Sequence, residues 1–138
     1  MNKNMFSDMV REFAKCAGQT LDDPSMSVEN RANRYRLISE EFEEFREAYV
    51  DYQMAQYYGL SNKKHFEEKL FKETLDLLYV TFGFAEANGW PVASGFSLVH
   101  ESNMTKFDPE TKNYLMNEKG KVLKSDNYKK PVLSYLLP

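Results

Sequence analysis

Leu37-Ile38-Ser39-Glu40-Glu41-Phe42-Glu43-Glu44-Phe45-Arg46-Glu47-Ala48 sets five glutamates within eight residues among apolar neighbours. Successive helical residues lie 100° apart, so one face recurs at steps of three and four. Two stripes follow. Ile38, Phe42, Phe45, Tyr49 and Tyr52 form the expected seam against a core. Beside it runs Leu37, Glu41, Glu44, Ala48, acidic in the middle and apolar at its ends. Glu40 with Glu44, Glu43 with Glu47 and Glu47 with Asp51 are like charges four apart, each unfavourable by roughly 0.2–0.5 kcal/mol. Arg46 is the only basic residue between Leu37 and Gln56. The stretch is therefore either a fully solvated acidic face or the seat of a cation.

No proline interrupts the chain from Val28 to Tyr58, and Gly59 ends it, so the acidic stretch is the centre of a long second helix capped by Ser27. Upstream, Met5, Met9 and Phe13 with Phe6, Val10, Ala14 and Ala17 predict a first helix over residues 4–18, stopped by Gly18, with Cys16 as a small core residue. Downstream, a third helix is expected from Asn62 to about Asn88, capped by Ser61 and closed by Asn88-Gly89 and Pro91. Its stripe is Phe66, Leu70, Glu73, Leu77, Val80, Phe84, with Asp76 three residues after Glu73. A buried carboxylate without a partner costs several kcal/mol, so an acid in an otherwise apolar stripe needs one. A fourth helix should run from Val92 to about Lys106 with Phe96, Val99 and Met104 inward. Tyr114-Leu115-Met116 and Lys121-Val122-Leu123 flank Asn117-Glu118-Lys119-Gly120 as a short hairpin, and the remainder forms an irregular tail. The expected fold is all-α, a bundle of four main helices in a single domain over residues 1–138.

Glu41 with Glu44, and Glu73 with Asp76, each share one helix face. Antiparallel packing of the second and third helices can gather all four. Oxygen-only ligation without His or Cys selects Mg²⁺, with Mn²⁺ as its substitute. His65 and His100 have no companion at ligand spacing. Phosphates on such a cation would call for nearby bases. Arg31, Arg34 and Arg36 lie upstream of the acids, and Lys106, Lys121 and Lys124, with Asn103, lie in the fourth helix and tail; each also reads as a solvated residue.

A net charge of −3 and a pI near 5.5 leave no general field for nucleic acid. One cysteine excludes an internal disulfide and suits a reducing compartment. With no apolar run of membrane length and no apolar leader, a cytoplasmic location is expected.

Glu40-Glu41-Phe42-Glu43-Glu44 fits EExxE and Glu73-Thr74-Leu75-Asp76 fits ExxD, with 28 residues between them. The ordered pair resembles the MazG-like all-α nucleoside-triphosphate pyrophosphohydrolases. Arg34 to Ile38, Asp76 to Val80, Ser102 to Lys106, and Gly120 to Lys124 before Tyr128 and Pro131 are similar to the phosphoribosyl-ATP-pyrophosphohydrolase-like branch, frequent in bacteria and their viruses. The resemblance implies Glu41, Glu44, Glu73 and Asp76 as Mg²⁺ ligands, and Glu40, with Glu44 sharing the task, as the residue acting on the attacking water. It implies Asn103, Lys106, Lys124 and Arg34 as substrate contacts, a nucleoside triphosphate cleaved at the α-phosphorus, and a homodimer or homotetramer. One specific expectation is removal of dGTP or another purine nucleotide. Two other readings stay open: a non-catalytic helical dimer whose acidic groove binds a cationic partner, and a nucleotide-binding regulator with the same fold.

Overall fold

The computed structural model describes residues 5–138. Helix α1 spans Met5–Cys16, α2 Val28–Tyr57, α3 Lys63–Ala87 and α4 Val92–Met104; a 3₁₀ turn follows at Ser134–Leu136. Among the described residues there is no strand, and the expected all-α fold of four helices is observed. Among the described residues no helix is long and apolar enough to cross a membrane. The chain divides into two compact units, one ending at Gly89 and the other spanning Trp90–Pro138.

The first unit is built on α2 and α3. Ser27 caps α2 as expected, its hydroxyl accepting from the Asn30 amide at 3.1 Å. Ser61 does not cap α3: Asn62 holds that position without a side-chain bond, because the turn closes through the backbone, Lys63 N to Leu60 O and His65 N to Asn62 O. So short a turn makes α2 and α3 an antiparallel hairpin, and side-chain contacts run in opposite register along it. Lys69 reaches Asp51 at 3.9 Å near the turn, and the Arg34 guanidinium lies beside Gly83 at the far end.

The buried line of α2 differs from either predicted stripe. From Ile38 onward the covered or half-covered line is Ile38, Glu41, Phe45, Ala48, Tyr52 and Ala55, again at alternating steps of three and four, whereas Phe42 and Tyr49 are exposed. Ala48 and Ala55 are fully buried, and small residues there let the backbones approach. The α3 stripe is as read: Phe66, Leu70, Glu73, Leu77, Val80 and Phe84 are all buried or half-buried.

Helix α1 packs on α3 through Ser7, Val10 and Ala14. Its larger apolar residues, Met5, Phe6, Met9 and Phe13, are exposed, as is Cys16, correcting its expected place in the core. The residue 4 end of the predicted first helix lies outside the described residues. The loop after α1 is tied to the C-terminal end of α3: Asp22 N donates to Glu86 O at 3.0 Å and Asp23 N to Ala87 O at 2.9 Å. Arg11 locks the junction, donating to Glu86 at 2.7 Å and to Asp22. Gly89 completes it, with φ +69°, a conformation that L side chains rarely adopt, and a Cβ there would make a tight contact 3.3 Å from the Asp22 backbone. Gly89→Ala should therefore lower stability by about 1–2 kcal/mol, the cost of a left-handed residue with a Cβ, read as a lower urea midpoint at unchanged slope.

In the second unit α4 stops two residues short of the expected Lys106. Its less exposed line is Val92, Gly95, Leu98 and Ser102, not the predicted Phe96, Val99 and Met104; Phe96 is 72% exposed. A polar strap accounts for the position of Ser102: its hydroxyl donates to Lys129 O at 2.7 Å, and Lys129 N donates to Thr105 Oγ1 at 2.8 Å, drawing the tail back to the end of α4. The predicted hairpin is reduced to a single antiparallel bridge, Met116 to Val122, around the expected Asn117–Gly120 loop. The Asn117 side chain accepts from the Lys119 and Lys121 amides and so fastens the turn that two longer strands would otherwise support.

Candidate metal centre

Near the middle of the α2–α3 hairpin, carboxylate oxygens of Glu41, Glu73 and Asp76 all lie within 4.8 Å of one another. The helix periods put them there. Glu41 stands in the covered line of α2 between Ile38 and Phe45, and Glu73 in that of α3 between Leu70 and Leu77, so the antiparallel seam drives the two acids together. Glu73 is 5% exposed; Glu41 and Asp76 are half-buried. Burial first, then the charges of Glu44, Asp76 and Glu73, push the Glu41 carboxyl above its ordinary value, with Lys72 opposing. Glu41 Oε2 is buried and has no hydrogen-bond partner. Such an orphaned oxygen, beside two further carboxylates, forms a group that could hold a hard divalent cation.

Of the other acids predicted for the site, Glu44 is exposed and outside this group of three, although its charge reaches Glu41. Glu40 is exposed on the adjoining face of α2. Glu43, also exposed, pairs with Arg46 at 2.9 Å. Exposed Glu47 completes the division of the five glutamates into one packed and four outward-facing.

The basic residues also separate. Arg34 is half-buried and shares the covered side of α2 with Ile38 and Glu41, donating to Gln19 Oε1 and Thr20 O, each at 3.0 Å. Desolvation lowers its pKa, and neither of these acceptors is charged. It lines a cleft of about 340 Å³ with Gln19, Thr20, Asn30, Asn33 and Leu37. It stands seven positions before Glu41, roughly 10 Å along the helix. Arg31 instead donates to Pro24 O at 3.0 Å and Arg36 is exposed. In the second unit Lys106 donates to Asn103 Oδ1 at 2.9 Å, and the Lys124 ammonium sits over the Tyr128 ring, 5.0 Å from its centre.

The sequence reading overlooked Lys72. Its ammonium lies 2.7 Å from Asp76 Oδ2 and 3.3 Å from Glu73 Oε1. The four-residue spacing to Asp76 was the available signal. Glu86 was overlooked as well, a second buried acid on α3 whose partner, Arg11, is 75 residues away and leaves no local trace.

The family model described as phosphoribosyl-ATP pyrophosphohydrolase matches residues 10–103, about two thirds of the chain, and so spans the acidic group and nearly all of the four helices. No curated protein matches the chain.

Proposed function

Because the chain belongs to the phosphoribosyl-ATP pyrophosphohydrolase family, whose members are nucleotide pyrophosphohydrolases, we propose that it cleaves a nucleoside triphosphate, with ribose or deoxyribose, to the monophosphate and pyrophosphate. The observation that carries the reading is the convergence of Glu41, Glu73 and Asp76 around an orphaned oxygen in a helix seam. These three would hold Mg²⁺ or Mn²⁺, with Glu44 as a fourth ligand after a change of rotamer. A divalent cation bound there supplies charge to offset that developing on phosphate oxygens.

The chain's own groups do the rest. Glu40, with Glu44 sharing the task, accepts a proton from the water that attacks the α-phosphorus; both are exposed carboxylates that flank Glu41 on α2. Among the described residues Arg34 offers a positive charge bonded to the neutral acceptors of Gln19 and Thr20, in a cleft about two turns from Glu41, and is suited to an anionic or acceptor-rich part of the substrate. Asn103, Lys106 and Lys124 are assigned to sugar or phosphate contacts, and the two units to one functional domain. Within this reading dGTP or another purine nucleotide is the preferred substrate.

A homodimer or homotetramer is part of the proposal. Phe6 stacks on Phe82, and Phe13 meets Tyr79 edge-on, while Phe6 and Phe13 stay more than half exposed, with Phe71, Leu75 and Leu78 also uncovered on α3. Monomers rarely leave so much large apolar surface open. A cytoplasmic setting, with neither nucleic acid nor membrane as partner, accords with the net charge of −3.

The test is product analysis. Incubated with each nucleoside triphosphate and Mg²⁺ in water carrying labelled oxygen, the protein should release pyrophosphate and a monophosphate bearing the label. Inorganic phosphate with a diphosphate, or label in the pyrophosphate, would exclude attack at the α-phosphorus.

A further inference from the structure

Three carboxylates within 4.8 Å repel one another, and among the described residues Lys72 is the only basic side chain bonded to the group. Its ammonium contacts Asp76 Oδ2 at 2.7 Å and both Glu73 oxygens at 3.3 Å. Asp76 and Glu73 are two of the oxygen donors that a divalent cation would use. The Lys72 side chain is 62% exposed, so its flexible stem can leave the carboxylates and return to water at little cost.

We propose that Lys72 is a tethered counter-ion that compensates the carboxylates before the metal arrives, competes with the metal for Asp76, and is displaced when it binds. This rests on the metal-site reading above and assigns Lys72 as a positioning residue, not a catalytic one. A divalent ion sharing Asp76 with the ammonium meets a like charge a few ångströms away, a penalty of roughly tenfold or more in affinity even in a water-like dielectric. Displacement has a destination. Glu68 lies four residues before Lys72 on α3 and is exposed, and Glu N-terminal to Lys at this spacing is the favourable order. Lys72 thus has an acid one turn away on either side, Asp76 when the cluster lacks its cation and Glu68 when it is filled. The arrangement keeps the acids from splaying apart and sets the metal affinity below what three bare carboxylates would give.

The test is Mn²⁺ titration without nucleotide, followed by electron paramagnetic resonance, on wild type, Lys72→Met, Lys72→Arg and Glu41→Gln. Lys72→Met should bind Mn²⁺ about tenfold more tightly, melt at a lower temperature without metal, and show a larger metal-induced rise in Tm. Lys72→Arg, which keeps the charge, should stay near wild type. A lysine that merely supported the fold would have the opposite effect on affinity, because its loss would loosen the site. Equal or weaker Mn²⁺ binding by Lys72→Met, with wild type binding and Glu41→Gln not, would overturn the counter-ion and leave the metal site standing. Wild-type binding that Glu41→Gln does not reduce would overturn both.

Discussion

Glu41→Gln is expected to reduce nucleotide turnover by roughly two orders of magnitude or more while raising the thermal stability of the metal-free protein. The opposed signs follow from one geometry. Glu41 is half-buried in the α2–α3 seam, its Oε2 has no hydrogen-bond partner, and burial together with three neighbouring acids raises its pKa. Ionised and without a cation, it opposes packing; the isosteric amide removes a charge without opening a cavity. With Mn²⁺ the order reverses, since the wild type gains the binding free energy and the variant lacks a ligand. Activity within tenfold of wild type, accompanied by unchanged Mn²⁺ affinity, would remove Glu41 from the metal centre. Asp76→Asn should share the loss of turnover, and circular dichroism should report the helical content of both variants as unaltered.

Arg11→Met is expected to be the most destabilising substitution away from that centre, costing roughly 2–3 kcal/mol, or a fall in Tm of about 10 °C. It strands Glu86, which is buried, and unties the loop carrying Asp22 from the end of α3. The pH dependence has a defined sign. The hydrogen bond from Arg11 holds the Asp22 carboxyl below its ordinary value, against the opposing effect of burial. A carboxylate whose folded pKa is depressed stabilises the fold above its unfolded pKa of about 4 and ceases to as pH falls through the folded value. The difference in stability between wild type and Arg11→Met should therefore narrow below about pH 4, modestly, because Asp22 is more than half exposed. A gap independent of pH would show that Asp22 contributes by packing and backbone bonds alone.

Much of this was written locally. Ser27 and Gly59 bound α2, Asn88-Gly89 ends α3, and every residue named in the α3 stripe from Phe66 to Phe84 is covered or half-covered, Glu73 included. On α3, although Phe71, Leu75 and Leu78 form a second apolar line that stays exposed, the positions of the predicted stripe are all covered or half-covered. On α2 they are not: Ile38, Phe42, Phe45, Tyr49 and Tyr52 fit a seam as well as Ile38, Glu41, Phe45, Ala48 and Tyr52 do, and a one-residue rotation separates them. Local pattern favoured the larger side chains, whereas close approach to α3 required Ala48 and Ala55. On α4 the same preference chose Phe96 over Gly95, and the polar strap through Ser102 chose otherwise.

By itself the sequence determined the number of helices, the ends of α2, and four candidate acids on α2 and α3, because caps, glycine stops and helical periodicity act within a few residues. Only the tertiary structure decided which face of α2 turned inward, and so that Glu41 joins Glu73 and Asp76 while Glu44 stays outside. It also decided that Arg34 is held by Gln19 and Thr20, that Arg11 answers Glu86, and that Lys72 lies against the acids. Those outcomes depend on burial and on which charges meet in space. A helix seam fixes both at once, and a single strand of sequence records neither.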